Sequence, residues 1–235
     1  MDDIILILQK CKLFQDLPES CIRQALLSCG TLREFSTGAE IIVPQKRIDW
    51  FAVVVRGQIQ ILNLFSNGSY SLIGILKPSY VLGADLLYTE TQLSPYYAIA
   101  GTPCSIFSFP REVLDTSELL PDSMRQQVWG RLITLLSHEN MRKHYRLAIL
   151  SQHALRNRIL IYLTMQSDKK GCNSFRIPFS RDEMADFLCV NRSALSHELS
   201  LMEQDGLIRF RKNEFTLLLP GKNQCIWNLD KYSDE

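Results

Sequence analysis

At 235 residues the chain is long enough for two domains with cores of their own. Its 26 Lys and Arg against 25 Asp and Glu leave a net charge of +1, which argues against a uniformly basic coat for nucleic acid. Seven scattered Cys, an odd number, fit reduced thiols in a cytoplasm rather than a disulfide framework. No apolar run approaches the roughly 20 residues needed to cross a bilayer, so no membrane partner is expected.

The first residues, Met1-Asp-Asp-Ile-Ile, carry acid where a secretory leader needs base, so no leader is expected. Residues 3–29 read as helix in two pieces, broken around Asp16-Leu17-Pro18. From about Arg33 the period changes to that of strands: Glu40–Val43, Trp50–Arg56, Gln58–Phe65, Ser69–Leu76, Tyr96–Ala100 and Cys104–Pro110 are short runs rich in β-branched and aromatic residues. Asn67-Gly68 between two of them is a strong hairpin signal. Strands so spaced suggest a β-roll or barrel of the jelly-roll kind, which with the N-terminal helices makes a first domain at residues 1–120.

From Pro121 to Ser151 the pattern is helical. Val128, Leu132 and Leu135 form one apolar stripe, and Trp129, Ile133 and Leu136 the neighbouring one. So wide an apolar arc suits a helix that faces its own roll on one side and a second copy on the other, although burial within one subunit would leave a similar pattern. A further helix, Leu155–Gln166, leads through a loop at Asp168–Asn173.

Two short helices and a tight turn follow. Ser180 caps the first, and Glu183 completes a capping box. Met184, Ala185 and Leu188 share its inner face, and Asn191 caps the second helix. Leu195, Leu199 and Met202 give that helix a buried stripe, which leaves Arg192, Ser193, Ser196 and His197 off the stripe near its start. A helix-turn-helix presents its second helix to the major groove in this way. Ile208–Leu218 then reads as a hairpin around Lys212-Asn213, placing Arg209, Arg211 and Lys212 where they can meet phosphates. Residues 1–120 hold 9 basic against 12 acidic residues and residues 121–235 hold 17 against 13, a bias that suits DNA contact in the second half.

Catalytic signals are lacking. No phosphate loop or nucleophile–base constellation is present, the four His form no metal-binding pair, and Cys11, Cys21 and Cys29 are too widely spaced for a compact cluster ligand set. Neither an enzyme nor a metal site is expected.

In order, a β-roll, a long helix and a winged helix-turn-helix resemble the cyclic-AMP receptor protein and fumarate–nitrate reductase regulator (Crp/Fnr) family. Gly38 with Glu40, Val53–Gly57, Leu82-Gly83, Leu155–Ile159 and Arg181–Ile208 carry the resemblance. It implies an α+β chain of three parts: a sensor roll at 1–120, a dimerisation helix at 121–151 and a DNA-binding domain at 152–235. It also implies a bacterial, cytoplasmic homodimer that binds double-stranded promoter DNA and engages RNA polymerase. The family's base-reading positions fall on Arg192, Ser193, Ser196 and His197, with Ser180 and Arg181 at the start of the preceding helix. Ser193 replaces a common Glu and His197 a common Arg, so the operator should differ from the best-known ones. The turn position usually held by Gly falls on Cys189.

Ligand transfer fails. The family's cyclic-nucleotide members use Gly-Glu and Arg-Ser pairs, which here become Gly83-Ala84 and Ser94-Pro95. A buried phosphodiester without its Arg has no charge partner, so cyclic AMP is not expected. An iron–sulfur cluster lacks its tight Cys spacing even with Cys104 as a distant fourth thiolate, and haem lacks a His in the roll. By alignment, an organic effector would be bordered by Leu82, Asp85, Leu86, Ser94, Tyr96 and Tyr97, with Lys143 and His144 approaching from the helix; alternatively these residues fill core and no effector binds. The rival function is a ligand-binding or scaffold module that has lost specific DNA recognition.

Overall fold

Strand β3 (Trp50–Arg56) shows why the roll's strands read as continuous apolar runs: it is buried on both faces. Ala52 and Val54 point between two sheets, while Phe51 and Val53 point to a helical layer outside. The computed structural model describes residues 2–64, 70–116 and 120–218. They form two compact units that divide between Ser137 and His138.

In the first unit, one antiparallel sheet has the order β1 (Thr31–Phe35), β8 (Cys104–Pro110), β3, β6 (Val81–Leu82). The other runs β2 (Glu40–Ile42), β7 (Tyr97–Ala100), β4 (Ile59–Leu64), β5 (Tyr70–Leu76). Ile42, Ile59, Leu82, Ala98 and Ile106 are among the residues that close the space between them. The predicted strands are present, joined by β1 and β6. Asn67-Gly68 lies outside the described residues.

Outside the first sheet, Phe51 pairs across with Phe109 and Val53 with Phe107. Phe14 joins this aromatic cluster, its ring centroid 5.3 Å from that of Phe109. The covering layer is α1 (Asp2–Lys10), the irregular helical run of α2 (Glu19–Cys21), a π-helical turn (Ile22–Leu26) and α3 (Leu27–Cys29), with α4 (Glu112–Asp115) and the start of α5 (Asp122–Leu150). The break predicted near Asp16 is real: Asp16 has φ 68° and pairs with Arg131.

In the second unit, α6 (Leu155–Lys170) runs one turn further than the sequence predicted. Gly171 at φ 63° ends it: Gly171 N–H donates to Asp168 O and Cys172 N–H to Ser167 O, the paired bonds of a Schellman cap. A three-stranded sheet, β10 (Ile208–Arg211), β11 (Glu214–Leu217), β9 (Ser174–Arg176), backs α6, α7 (Arg181–Phe187) and α8 (Arg192–Gln204). Strand β9 had no clear signal in the sequence, being three residues long and buried only at Phe175.

Candidate nucleic-acid interface

Both predicted caps form. Ser180 Oγ accepts from Glu183 N–H, and Glu183 Oε2 accepts from Ser180 N–H at 2.7 Å. Asn191 Oδ1 accepts from Ala194 N–H at 2.7 Å. A cap of this kind contributes about 1 kcal/mol. Met184, Ala185, Leu188, Leu195, Leu199 and Met202 are all buried in one core. The turn between α7 and α8 passes through Cys189 at φ 55°, the left-handed conformation in which Gly is favoured.

With the stripe buried, Arg192, Ser193, Ser196 and His197 emerge together into solvent at the start of α8. Arg192 Nη1 donates to Asp182 Oδ2 at 3.0 Å, with side-chain exposures of 65% and 64%. An ion pair so exposed contributes little to stability and gives way readily to a base or phosphate. Ser193 Oγ donates to Asn191 Oδ1 at 2.8 Å. Arg209 and Arg211 alternate with Ile208 and Phe210 along β10, so they project from one face, and Lys212 turns the hairpin at φ 56°.

Arg181 is placed differently from the others. It is half-buried, its guanidinium lies 5.1 Å from the Phe210 ring centroid, and Nη2 donates to Lys212 O at 3.0 Å. Burial, with Arg192 adding to it, holds its pKa below the ordinary value. These contacts join α7 to the hairpin turn. Ser180 is likewise engaged in its cap.

Sequence reasoning missed the residues that brace α8. Arg156 donates to Glu198 at 2.7 Å and to Asp205 at 2.6 Å, gripping α8 midway and at its end. Arg158 donates to Gln152 O at 2.7 Å and Leu188 O at 3.2 Å, tying α6 to the end of α7. The available signal was the arginine pair in Leu155–Ile159, whose partners in the helix-turn-helix lie 30 to 49 positions away.

The second unit is thus a helix-turn-helix with a basic hairpin beside it. The Crp-like helix-turn-helix domain matches residues 126–222, and the cyclic nucleotide-binding domain matches residues 32–116. The chain belongs to the Crp/Fnr family. It is 26% identical over 167 residues to the transcriptional activator protein FnrA of Stutzerimonas stutzeri, covering 69% of this chain and 66% of that one. It is also 26% identical over 167 residues to the transcriptional regulatory protein btr of Bordetella pertussis, covering 68% of this chain and 66% of that one. The matched stretch therefore spans just under two thirds of either relative. Among solved structures, the c-di-GMP-responsive global regulator CLP of Xanthomonas campestris superposes with a TM-score of 0.62 at 18% identity, covering 86% of this chain and 100% of that one.

In this Crp/Fnr chain the residues aligned with an effector site are largely packed. Leu82 and Leu86 belong to the core between the sheets. Ser94 is buried, and its Oγ donates to Tyr96 O at 2.8 Å and accepts from Tyr96 N–H at 3.2 Å. Tyr96 OH donates to exposed Asp85 at 2.9 Å. Burial first, and then the Asp85 charge, push the Tyr96 pKa up. Ala84, at the family's glutamate position, is buried in the apolar layer outside the roll. Tyr97 is half-buried on β7, and Lys143 and His144 are exposed on the part of α5 that belongs to the second unit.

The stripes predicted for self-association divide. Val128 and Leu132 are buried in the core of their own subunit, and Trp129 and Leu136 pack against it. Trp129 Nε1 donates to Leu114 O at 2.9 Å. Leu135 is half-buried, and Ile133 is 60% exposed.

Proposed function

We propose that two copies of this Crp/Fnr chain join along α5 and read an inverted repeat in promoter DNA through their paired α8 helices. The observation that carries this reading is the joint exposure of Arg192, Ser193, Ser196 and His197 on a capped, braced helix beside a basic hairpin. Arg192 is the residue suited to a bidentate guanine contact. The exposed cations Arg209, Arg211 and Lys212 suit phosphates, which fix orientation without reading sequence.

Support for the homodimer comes from one face of α5. Gln126, Gly130, Ile133, Ser137, Asn140, His144 and Leu147 recur at spacings of four and three, and all are exposed. Such a spacing is the one a two-stranded coiled coil uses for its seam. Ile133 and Leu147, 60% and 68% exposed, are its apolar members, and Gly130 allows close approach. The effector, where one acts, is a small organic molecule rather than a cyclic nucleotide, because Ala84 and Ser94 supply neither the carboxylate nor the cation that a ribose phosphate needs. RNA polymerase is the proposed protein partner.

The test selects duplexes from a random pool with the purified protein. Enrichment of an inverted repeat with half-sites about 34 Å apart is expected. Scattering should show a dimer for the wild type and a monomer for Ile133→Asp with Leu147→Asp. Selection that enriches no motif, with or without metabolite extract, overturns the reading in favour of a module without specific DNA recognition.

A further inference from the structure

We propose that a cleft at one end of the first sheet binds a zwitterionic amino acid, with its carboxylate on Arg33 and its ammonium group between Asp49 and Glu112. The inference goes beyond the DNA-binding function proposed above and does not depend on it.

The cleft lies where β1 and β3 begin and β8 stops, beside the start of α4. Its volume of about 350 Å³ is in the range of small-molecule sites, and its lining includes Arg33, Asp49, Trp50, Ser108, Pro110 and Glu112. None of these is among the residues aligned with the family's effector site, so a ligand here has a place of its own.

Arg33 is half-buried, with its guanidinium 5.1 Å from the Trp50 ring centroid and 5.3 Å from that of Phe35. Such stacking engages the flat face of the guanidinium and leaves its in-plane N–H groups able to take a carboxylate in a bidentate pair. Among the described residues those N–H groups make no hydrogen bond or ion pair. Asp49 and Glu112 are exposed, and among the described residues neither side chain enters an ion pair. Their neighbours behave otherwise: Glu34, next to Arg33, meets Arg56 at 3.9 Å, and Arg111, next to Glu112, meets Asp115 at 2.8 Å. Charges of both signs thus line one cleft without meeting. Packing on Trp50 accounts for Arg33 alone. It does not account for two carboxylates around an arginine that they do not reach.

The charge pattern selects the ligand class. A simple carboxylic acid is drawn to Arg33 but repelled by Asp49 and Glu112, and a simple amine meets the reverse. An amino acid carries both charges a few bonds apart and satisfies both sides. Trp50 and Pro110, opposite each other in the β3–β8 register, offer its side chain an apolar wall. Buried Ser108 donates its hydroxyl to Thr31 O at 3.1 Å and keeps lone pairs for an ammonium N–H. The frame is pre-organised: Arg111 N–H donates to Asp49 O at 3.0 Å, and the Arg111 side chain is itself held by Asp115 at 2.8 Å and by Leu87 O at 3.2 Å.

The experiment follows thermal unfolding of the full chain, without DNA, in the presence of each standard L-amino acid in turn. At about 100 times its dissociation constant, a bound amino acid should raise the melting temperature by roughly 5–10 °C. Its N-acetyl derivative and its methyl ester, each lacking one charge, should give no rise. Asp49→Asn with Glu112→Gln, both at exposed positions, should fold as wild type does and bind about tenfold or more weakly. Arg33→Gln should weaken binding as much, and Arg33→Lys, which keeps the charge without the fork, should recover part of it. Asp85→Asn with Tyr96→Phe, at the aligned effector position, should leave the rise intact. No rise with any amino acid overturns the inference and leaves the DNA-binding function standing. An equal rise with the blocked derivatives overturns it too, as does a rise that survives the carboxylate substitutions but not those at Asp85 and Tyr96. Failure to select an operator, with the rise and its variant pattern intact, removes only the proposed DNA-binding function.

Discussion

Sequence assigns the polar side chains at the start of α8 to DNA and those in the β6–β7 region of the roll either to an effector or to core, and folding treats the two regions differently. Arg192, Ser193, Ser196 and His197 stand in solvent on a helix whose other face is fully packed. Ser94 is buried with its hydroxyl engaged by the Tyr96 backbone, and Tyr96 is held by Asp85. A binding surface for a macromolecule must be exposed before its partner arrives, so an amphipathic helix reveals it. A small-molecule pocket uses the same residue types as a core, and only the packing distinguishes them.

Substitutions can sharpen this contrast. The largest effect is expected at Leu82, which is buried between the sheets: Leu82→Ala should cost about 2–5 kcal/mol in denaturant unfolding, with the residual folded protein still preferring its operator. Loss of operator preference in that folded fraction would show that the roll and the reading helices are not separable. Next, Arg192→Ala should reduce discrimination between operator and random duplex by about 1–3 kcal/mol while changing stability by less than about 0.5 kcal/mol. Equal losses on both duplexes would remove Arg192 from base reading.

A smaller effect is expected at the turn. Cys189 occupies φ 55°, so Cys189→Gly should raise the melting temperature by the equivalent of up to about 1 kcal/mol. Unchanged or lowered stability would mean that the thiol makes a compensating contact. Least in energy is the contrast among thiols. Burial pushes the Cys11 pKa from 9.0 up to about 11, whereas Cys172 and Cys189 are exposed. Alkylation at pH 8 should label Cys172 and Cys189 well before Cys11. Because the folded state holds the Cys11 proton more tightly, its contribution to stability is intact below about pH 9 and is lost as pH rises towards about 11. Early labelling of Cys11 in the native protein would contradict its burial.

The helix-turn-helix was legible almost residue by residue because its signals are local. Ser180 with Glu183, Asn191 with Ala194, and the Leu195–Leu199–Met202 stripe each lie within two helical turns. The braces were not, because Arg156 reaches Glu198 and Asp205 across 42 and 49 positions. The resemblance implies a DNA contact for Arg181, and its place over Phe210 depends on where the hairpin folds back.

By itself the sequence determined the order of roll, long helix and helix-turn-helix, the caps, the buried stripes and the face that α8 turns to solvent, since periodicity and capping act between near neighbours. Tertiary structure decided which apolar residues of α5 belong to its own roll, Val128 and Leu132, and which remain outside, Ile133 and Leu147. The reason is that an apolar stripe states only that it must be covered, whereas what covers it depends on strands and helices far away in the chain.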